Sequence, residues 1–277
     1  MDIDLLTIGE ASTGSFLKLS KSDSLYNALK ELRKQKTDRA LIYDGDTLVG
    51  IITKKDVVRK IPIAKSKYKR IPISQLHLSS IMSSPAITLP HDASVLKAAR
   101  IMLEKNISSI PVTKNSHVTA LFTKWNIASL MVESTVLVKD IATYPVKVIS
   151  KYSSIIFARR LIIDEGISTL PVVDDRNNLV GILTVDELTD ALVDLINILA
   201  EGGSKEGLRR IGVGEIMRPL LPKVRSDDTV GKAASLILSE GVRGVIVVDE
   251  SDNISGIITL TDLTKSFAGR TSTSLKK

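Results

Sequence analysis

The stretch Gly50-Ile-Ile-Thr-Lys-Lys-Asp56 is written three more times along the chain, as Ala120-Leu-Phe-Thr-Lys-Trp-Asn126, Gly181-Ile-Leu-Thr-Val-Asp-Glu187 and Gly256-Ile-Ile-Thr-Leu-Thr-Asp262. Upstream of each copy stands an apolar residue followed nine positions later by an alanine: Leu19/Ala28, Leu89/Ala98, Ile149/Ala158 and Val224/Ala233. From alanine to motif threonine the spacing is 25, 25, 26 and 26 residues. Two anchors held in register to within one residue mark four copies of one structural unit. A unit this small cannot bury its apolar face alone, so the copies must pack on one another.

Between the anchors the hydrophobic period changes. A polar turn leads into apolar residues at i, i+3, i+4 and i+7: Leu25, Ala28, Leu29 and Leu32 in the first copy, Val230, Ala233, Ala234 and Ile237 in the fourth. That is one face of a helix, and the alanine is small where the helix must approach a sheet. Two short aliphatic runs follow: Ala40 to Tyr43 with Leu48 to Ile52, Ile110 to Val112 with Val118 to Phe122, Leu170 to Val173 with Leu179 to Leu183, and Val245 to Val248 with Ile254 to Ile258. Turn residues such as Asp44-Gly-Asp46 separate the runs of each pair, as in hairpins. The second run ends at the motif threonine, where another helix begins. Each unit is therefore β-α-β-β-α, and the chain is of mixed α/β (α+β) class.

Composition narrows the function. The chain has 277 residues, 43% hydrophobic but only 4% aromatic, so its core is built from Ile, Leu and Val. No apolar run approaches the ~20 residues of a membrane-spanning helix, and Met1-Asp-Ile-Asp lacks the positive start of a signal peptide. A cytoplasmic protein is the expectation. Cysteine is absent and the three histidines, His77, His91 and His117, lie without metal-ligand spacing. No phosphate-binding loop of the G-x-x-x-x-G-K-[ST] kind is present. No catalytic residue, metal or catalytic cofactor is expected, and an enzyme is disfavoured.

The net charge of +7 is concentrated. Lys54, Lys55, Arg59, Lys60, Lys65, Lys67, Lys69 and Arg70 surround a single acid, Asp56, so this segment alone carries the whole excess. Lys276 and Lys277 end a basic tail. Clustering of this kind reads as a polyanion contact or as a solvated linker.

The motif residues resemble the cystathionine-β-synthase-type (CBS) domain family. The G-h-h-T-x-x-D ending, the apolar-Pro-Val strands Ile110-Pro-Val112 and Leu170-Pro-Val-Val173, and the openings Ile81-Met82 and Ile216-Met217 all match. The resemblance implies CBS repeats paired into two Bateman modules. The threonines are 70, 61 and 75 residues apart, and the short middle gap marks the boundary between pairs. The expected modules are residues 1–134, with repeats 13–66 and 76–132, and 135–277, with repeats 136–197 and 209–268. A basic linker covers 60–75 and a flexible one 201–208.

Read by itself, Thr-x-x-Asp at a strand-to-helix junction is a capping box, threonine capping the helix and the acid reaching back to its amide. The same geometry suits a nucleotide. A helix N-terminus favours phosphate, and a carboxylate offers two oxygens to the vicinal hydroxyls of a ribose. The resemblance implies adenine nucleotides (AMP, ADP, ATP) in clefts between paired repeats, as regulatory ligands. Thr53 with Asp56 and Thr259 with Asp262 keep the family pattern, and Arg39 and Arg243 on the first core strand are candidate phosphate contacts. Thr123 with Asn126 lacks the charge, and Thr184 with Glu187, with Asp186 one position early, has a longer acid; these two sites are weaker candidates.

The leading expectation is a non-enzymatic sensor of adenine nucleotides that signals to an unknown protein target, with a homodimer compatible with that role. The alternative is a regulator bound to RNA, the ribosome or DNA through its basic linker and tail, for example a translation-silencing factor. A third class is an assembly scaffold using the stripe Leu188, Leu192, Leu195 and Leu199, which reads better as packing between modules.

Overall fold

In the computed structural model, residues 6–61, 72–200, 211–219 and 222–269 are described. The chain folds as four copies of the expected unit. The first comprises β1 (Lys18–Ser20), the helix Leu25–Lys34, β2 (Arg39–Asp44), β3 (Thr47–Thr53) and the helix Lys54–Lys60. The second has β4 (Leu89–Pro90), the helix Val95–Glu104, β5 (Ser109–Lys114), β6 (His117–Thr123) and the helix Lys124–Ser129. The third has β7 (Ile149–Ser150), the helix Ile155–Asp164, β8 (Thr169–Val173), β9 (Leu179–Thr184) and the helix Val185–Ala200. The fourth has β10 (Lys223–Arg225), the helix Val230–Glu240, β11 (Gly244–Val248), β12 (Ile254–Thr259) and the helix Leu260–Ala268.

Every repeat holds a three-stranded sheet in chain order, its first pair parallel and its hairpin antiparallel. The parallel pair needs a crossover, which the first helix of each repeat supplies. Ala28, Ala98, Ala158 and Ala233 are fully buried on those helices, as their periodicity requires. Serine or threonine caps each one: Ser24, Ser94, Ser154 and Thr229 accept from the amide three residues on.

Two compact units form. One contains residues 17–86 and 147–220, the other 1–16, 87–146 and 221–277. Each unit thus joins alternate repeats, first with third and second with fourth, whereas the sequence grouped successive repeats. The reason is the apolar face of the second helices. Val57 and Val58 on Lys54–Lys60 share one core with Leu188, Leu192 and Leu195 on Val185–Ala200, and Ile127 and Ala128 share another with Leu263 and Phe267. Three leucines of the stripe read from the sequence, Leu188, Leu192 and Leu195, are therefore core and have no exposure; the side chain of Leu199 lies outside the described residues.

The opening segments cross to a neighbouring repeat. Ser83, after Ile81-Met82 at the start of the second repeat, pairs with Ile51 on β3 of the first, with amide–carbonyl distances of 2.8 and 2.9 Å. Arg218, after Ile216-Met217, pairs with Ile182 on β9 of the third repeat, not the fourth. Thr143 pairs with Ile257 on β12, and Thr13 with Leu121 on β6. Successive repeats therefore exchange their opening segments, first with second and third with fourth.

Candidate functional site

Each motif threonine ends a strand in extended backbone and caps the helix that follows. Thr53 Oγ1 accepts from the Asp56 amide at 3.2 Å, while Asp56 Oδ2 accepts from the Thr53 amide at 2.8 Å and from its hydroxyl at 2.6 Å. Thr259 and Asp262 repeat this at 2.9 and 2.6 Å. Asn126 Oδ1 takes the Thr123 amide and hydroxyl at 2.8 and 2.7 Å, and Glu187 Oε2 takes the Thr184 amide at 3.0 Å and its hydroxyl. The first, second and fourth copies are capping boxes, and in the third Thr184 Oγ1 accepts from the Asp186 amide at 3.1 Å, so a capping role is physically present whatever else the site does.

The second polar atom of each acid position points to an exchanged opening segment. Ser83 Oγ donates to Asp56 Oδ1 at 2.7 Å, and Thr143 Oγ1 to Asp262 Oδ1 at 3.0 Å. Lys265 Nζ lies 3.8 Å from the same Asp262 oxygen. At the third repeat the Arg218 guanidinium meets Glu187 Oε1 at 3.0 Å. At the second, Asn126 Nδ2 donates to the Ala11 carbonyl at 2.9 Å. Sequence reading missed Ser83, Thr143, Arg218 and the Ala11 carbonyl. For the three side chains the available signal was their common place, two residues after the isoleucine in Ile81-Met-Ser83, Ile141-Ala-Thr143 and Ile216-Met-Arg218.

The candidate arginines are not equivalent. Arg39 opens β2 directly opposite Thr53. It is 3% exposed, with its guanidinium on both oxygens of Asp38 at 2.6 and 2.8 Å, so it is a buried ion-pair member. Opposite Thr259 stands Gly244, not Arg243, which lies one residue before β11. The corresponding residues in the other repeats are Ser109 opposite Thr123 and Thr169 opposite Thr184. Thr169 is 2% exposed and its hydroxyl has no hydrogen-bond partner.

Of the other candidates, Asp186 pairs with Lys54 at 3.1 Å, tying the third repeat's motif to the first. Lys55 Nζ reaches the Gly166 carbonyl at 3.1 Å and Lys60 Nζ the Met82 carbonyl at 2.6 Å. Three ammonium groups of the basic segment thus make contacts inside the protein. Arg59 is exposed. Lys65, Lys67, Lys69, Arg70, Lys276 and Lys277 lie outside the described residues, as does most of each linker. Among the described residues no group of three or more His, Cys, Asp or Glu is placed to hold a metal ion. No helix there is long and apolar enough to cross a membrane.

The family profile described as "CBS domain" matches four times, at residues 8–63, 78–133, 138–194 and 213–269. The chain belongs to the CBS-domain family. Protein MJ1225 of Methanocaldococcus jannaschii is similar over nearly its whole length, 25% identical across 88% of this chain and 92% of its own. Its crystal structure superposes with a TM-score of 0.83 at 23% identity, covering 95% of this CBS protein and 100% of that chain. An uncharacterized conserved protein from Pyrococcus horikoshii shares the fold with a TM-score of 0.63 at 17% identity, over 95% of this chain and 100% of its own. Other relatives are matched only in part. Homoserine O-acetyltransferase of Methanohalophilus mahii is 30% identical over 42% of this chain, which spans 24% of that enzyme's length.

Proposed function

We propose that this CBS-domain protein is a non-enzymatic regulator that binds adenine nucleotides and passes the binding event to a partner. One observation carries the reading. At the first and fourth repeats a carboxylate is fixed at a strand-to-helix junction by its Oδ2, and its Oδ1 is held by a neutral hydroxyl of a separate segment. Such an oxygen suits a ribose hydroxyl, which needs an acceptor of defined position. The other two acid positions spend their second atom on the Arg218 guanidinium at 3.0 Å or on a carbonyl, whereas Lys265 stands back at 3.8 Å from Asp262, which supports ranking Asp56 and Asp262 first. MJ1225, similar over almost the whole chain, has been described as a candidate archaeal homologue of g-AMPK, which fits a regulatory role. The exchange of opening segments between successive repeats supports residues 1–134 and 135–277 as the two modules.

Calorimetry with AMP, ADP and ATP on the wild type, Asp56→Ala, Asp262→Ala and the double variant tests the proposal. Loss of one carboxylate weakens its own site by ~1.5–3 kcal/mol, the range for hydrogen bonds to charged groups. Absence of heat with every adenine nucleotide, after removal of any co-purified ligand, overturns it and leaves the motif as a helix cap.

A further inference from the structure

We propose that Ser83 and Thr143 are latches that compete with the ligand for Asp56 and Asp262, so that a ribose gripping either carboxylate with both hydroxyls must displace the side-chain hydroxyl of the neighbouring repeat's opening segment. The inference rests on the nucleotide reading above and adds its regulation. A carboxylate has about four lone-pair positions. On Asp56, Oδ2 has both filled by the Thr53 amide and hydroxyl, and Oδ1 has one filled by Ser83. On Asp262 the Thr259 amide and hydroxyl and the Thr143 hydroxyl do the same. One position remains at each site, facing Lys265 Nζ at 3.8 Å on Asp262 Oδ1. The vicinal hydroxyls of a ribose need two, one for each O–H.

A ribose therefore grips either aspartate with both hydroxyls only when the serine or threonine lets go. The motif threonine is not the group that yields, because its hydroxyl also accepts the acid's own amide and caps the helix. The group that yields is one rotatable hydroxyl, on a segment that stays paired to β3 or β12 through the backbone of Ser83 with Ile51 or of Thr143 with Ile257. That segment carries Met82 against Gly50, or Tyr144 against Gly256, so the hydroxyl sits where the two repeats cross. A ligand with differential affinity for latched and released states shifts their populations, which is the physical requirement for a signal. The third repeat carries the same device in charged form, Arg218 on Glu187, and charge-assisted bonds of this type are stronger and harder to displace.

The test compares AMP with 2′-deoxy-AMP by calorimetry on the full chain. Ser83→Ala is made in an Asp262→Ala background and Thr143→Val in an Asp56→Ala background, so that one site is read at a time. Removing the competing hydroxyl tightens AMP by about 3- to 10-fold, the equivalent of one ordinary hydrogen bond. Affinity for 2′-deoxy-AMP stays unchanged, because one hydroxyl already finds the open position. Ser83→Thr, which keeps a hydroxyl, behaves as its parent. Unchanged or weaker AMP binding in Ser83→Ala and Thr143→Val, or equal tightening of both ligands, overturns the latch while the nucleotide reading stands. No binding of AMP by parents or variants overturns the nucleotide reading and the latch with it. Should Ser83→Ala melt below the assay temperature, Thr143→Val gives the same comparison at the independent site.

Discussion

Asn126 sits against a carbonyl, and that decides what can replace it. Its Oδ1 serves the Thr123 cap and its Nδ2 donates to Ala11. From the sequence, the amide reads as an aspartate that has lost its charge. In the structure it is the residue that can accept on one side and donate on the other. Asn126→Asp would turn a carboxylate oxygen toward the Ala11 oxygen and leave both without a donor. We expect a loss of about 1 kcal/mol, the low end of the cost of an unsatisfied polar group because the pair is only partly buried, read as a fall in urea midpoint with unchanged slope. The motif glycine has a similar explanation. A Cβ on Gly181 would lie 2.6 Å from the Arg218 carbonyl and 2.7 Å from Met217 Sδ, and one on Gly50 2.8 Å from the Ser83 carbonyl. Gly181→Ala should therefore destabilise by ~1–3 kcal/mol through overpacking, measured in the same way. At Ala120 the crossing segment is Glu-Ala-Ser-Thr rather than Ile-Met-Arg, and the methyl is accommodated there.

At the scale of elements, the helix Lys54–Lys60 is short and its last carbonyls would be orphaned without help. Arg159, on the third repeat's first helix, donates to the carbonyls of Val58, Arg59 and Ile61 at 2.6, 3.0 and 3.1 Å. Burial pulls this guanidinium down from its ordinary range, but arginine remains charged in proteins. A lysine cannot reproduce the planar fork. Arg159→Lys should speed hydrogen exchange at residues 57–61 by roughly tenfold or more, about the value of one charged hydrogen bond, with little change in the second and fourth repeats. The hairpin turns give a pH prediction. Backbone amides, Asn178 foremost, hold Asp174 below its usual range, and Asn253 does the same for Asp249. A carboxylate lowered on folding contributes stability above its unfolded value, near pH 4, and loses it as pH falls through the lowered folded value. Urea midpoints should therefore drop below about pH 4, and Asp174→Asn should flatten that part of the profile.

Across the whole molecule, each unit has one continuous core fed by two repeats. Leu192, fully buried, lies in the core that the first and third repeats share. Leu192→Ala should cost about 2–5 kcal/mol. Its effect should appear in the amides of both those repeats, including the first, more than a hundred residues away in sequence. Loss confined to the third repeat would show that the two repeats do not share a core.

The sequence by itself determined the repeat, its β-α-β-β-α order and the strand and helix positions. Those follow from short-range pattern, a helical period giving way to two short aliphatic runs, and from turn residues between them. Strand limits extended by a residue or so at most ends, as at Arg39–Asp44, because hydrogen bonding runs past the apolar run that advertises a strand. The capping pairs Thr53/Asp56 and Thr259/Asp262 were also legible, being three residues apart. What only the tertiary structure decided was which groups face those acids from afar. Ser83 meets Asp56 across 27 residues and Thr143 meets Asp262 across 119. The same holds for the packing of alternate repeats through their second helices. The physical reason is that a segment crossing a sheet edge, or a helix stripe, finds its partner by shape and hydrogen-bond complementarity in three dimensions. Local pattern records that a face is apolar or that a hydroxyl is present, but carries no information on what will lie against it.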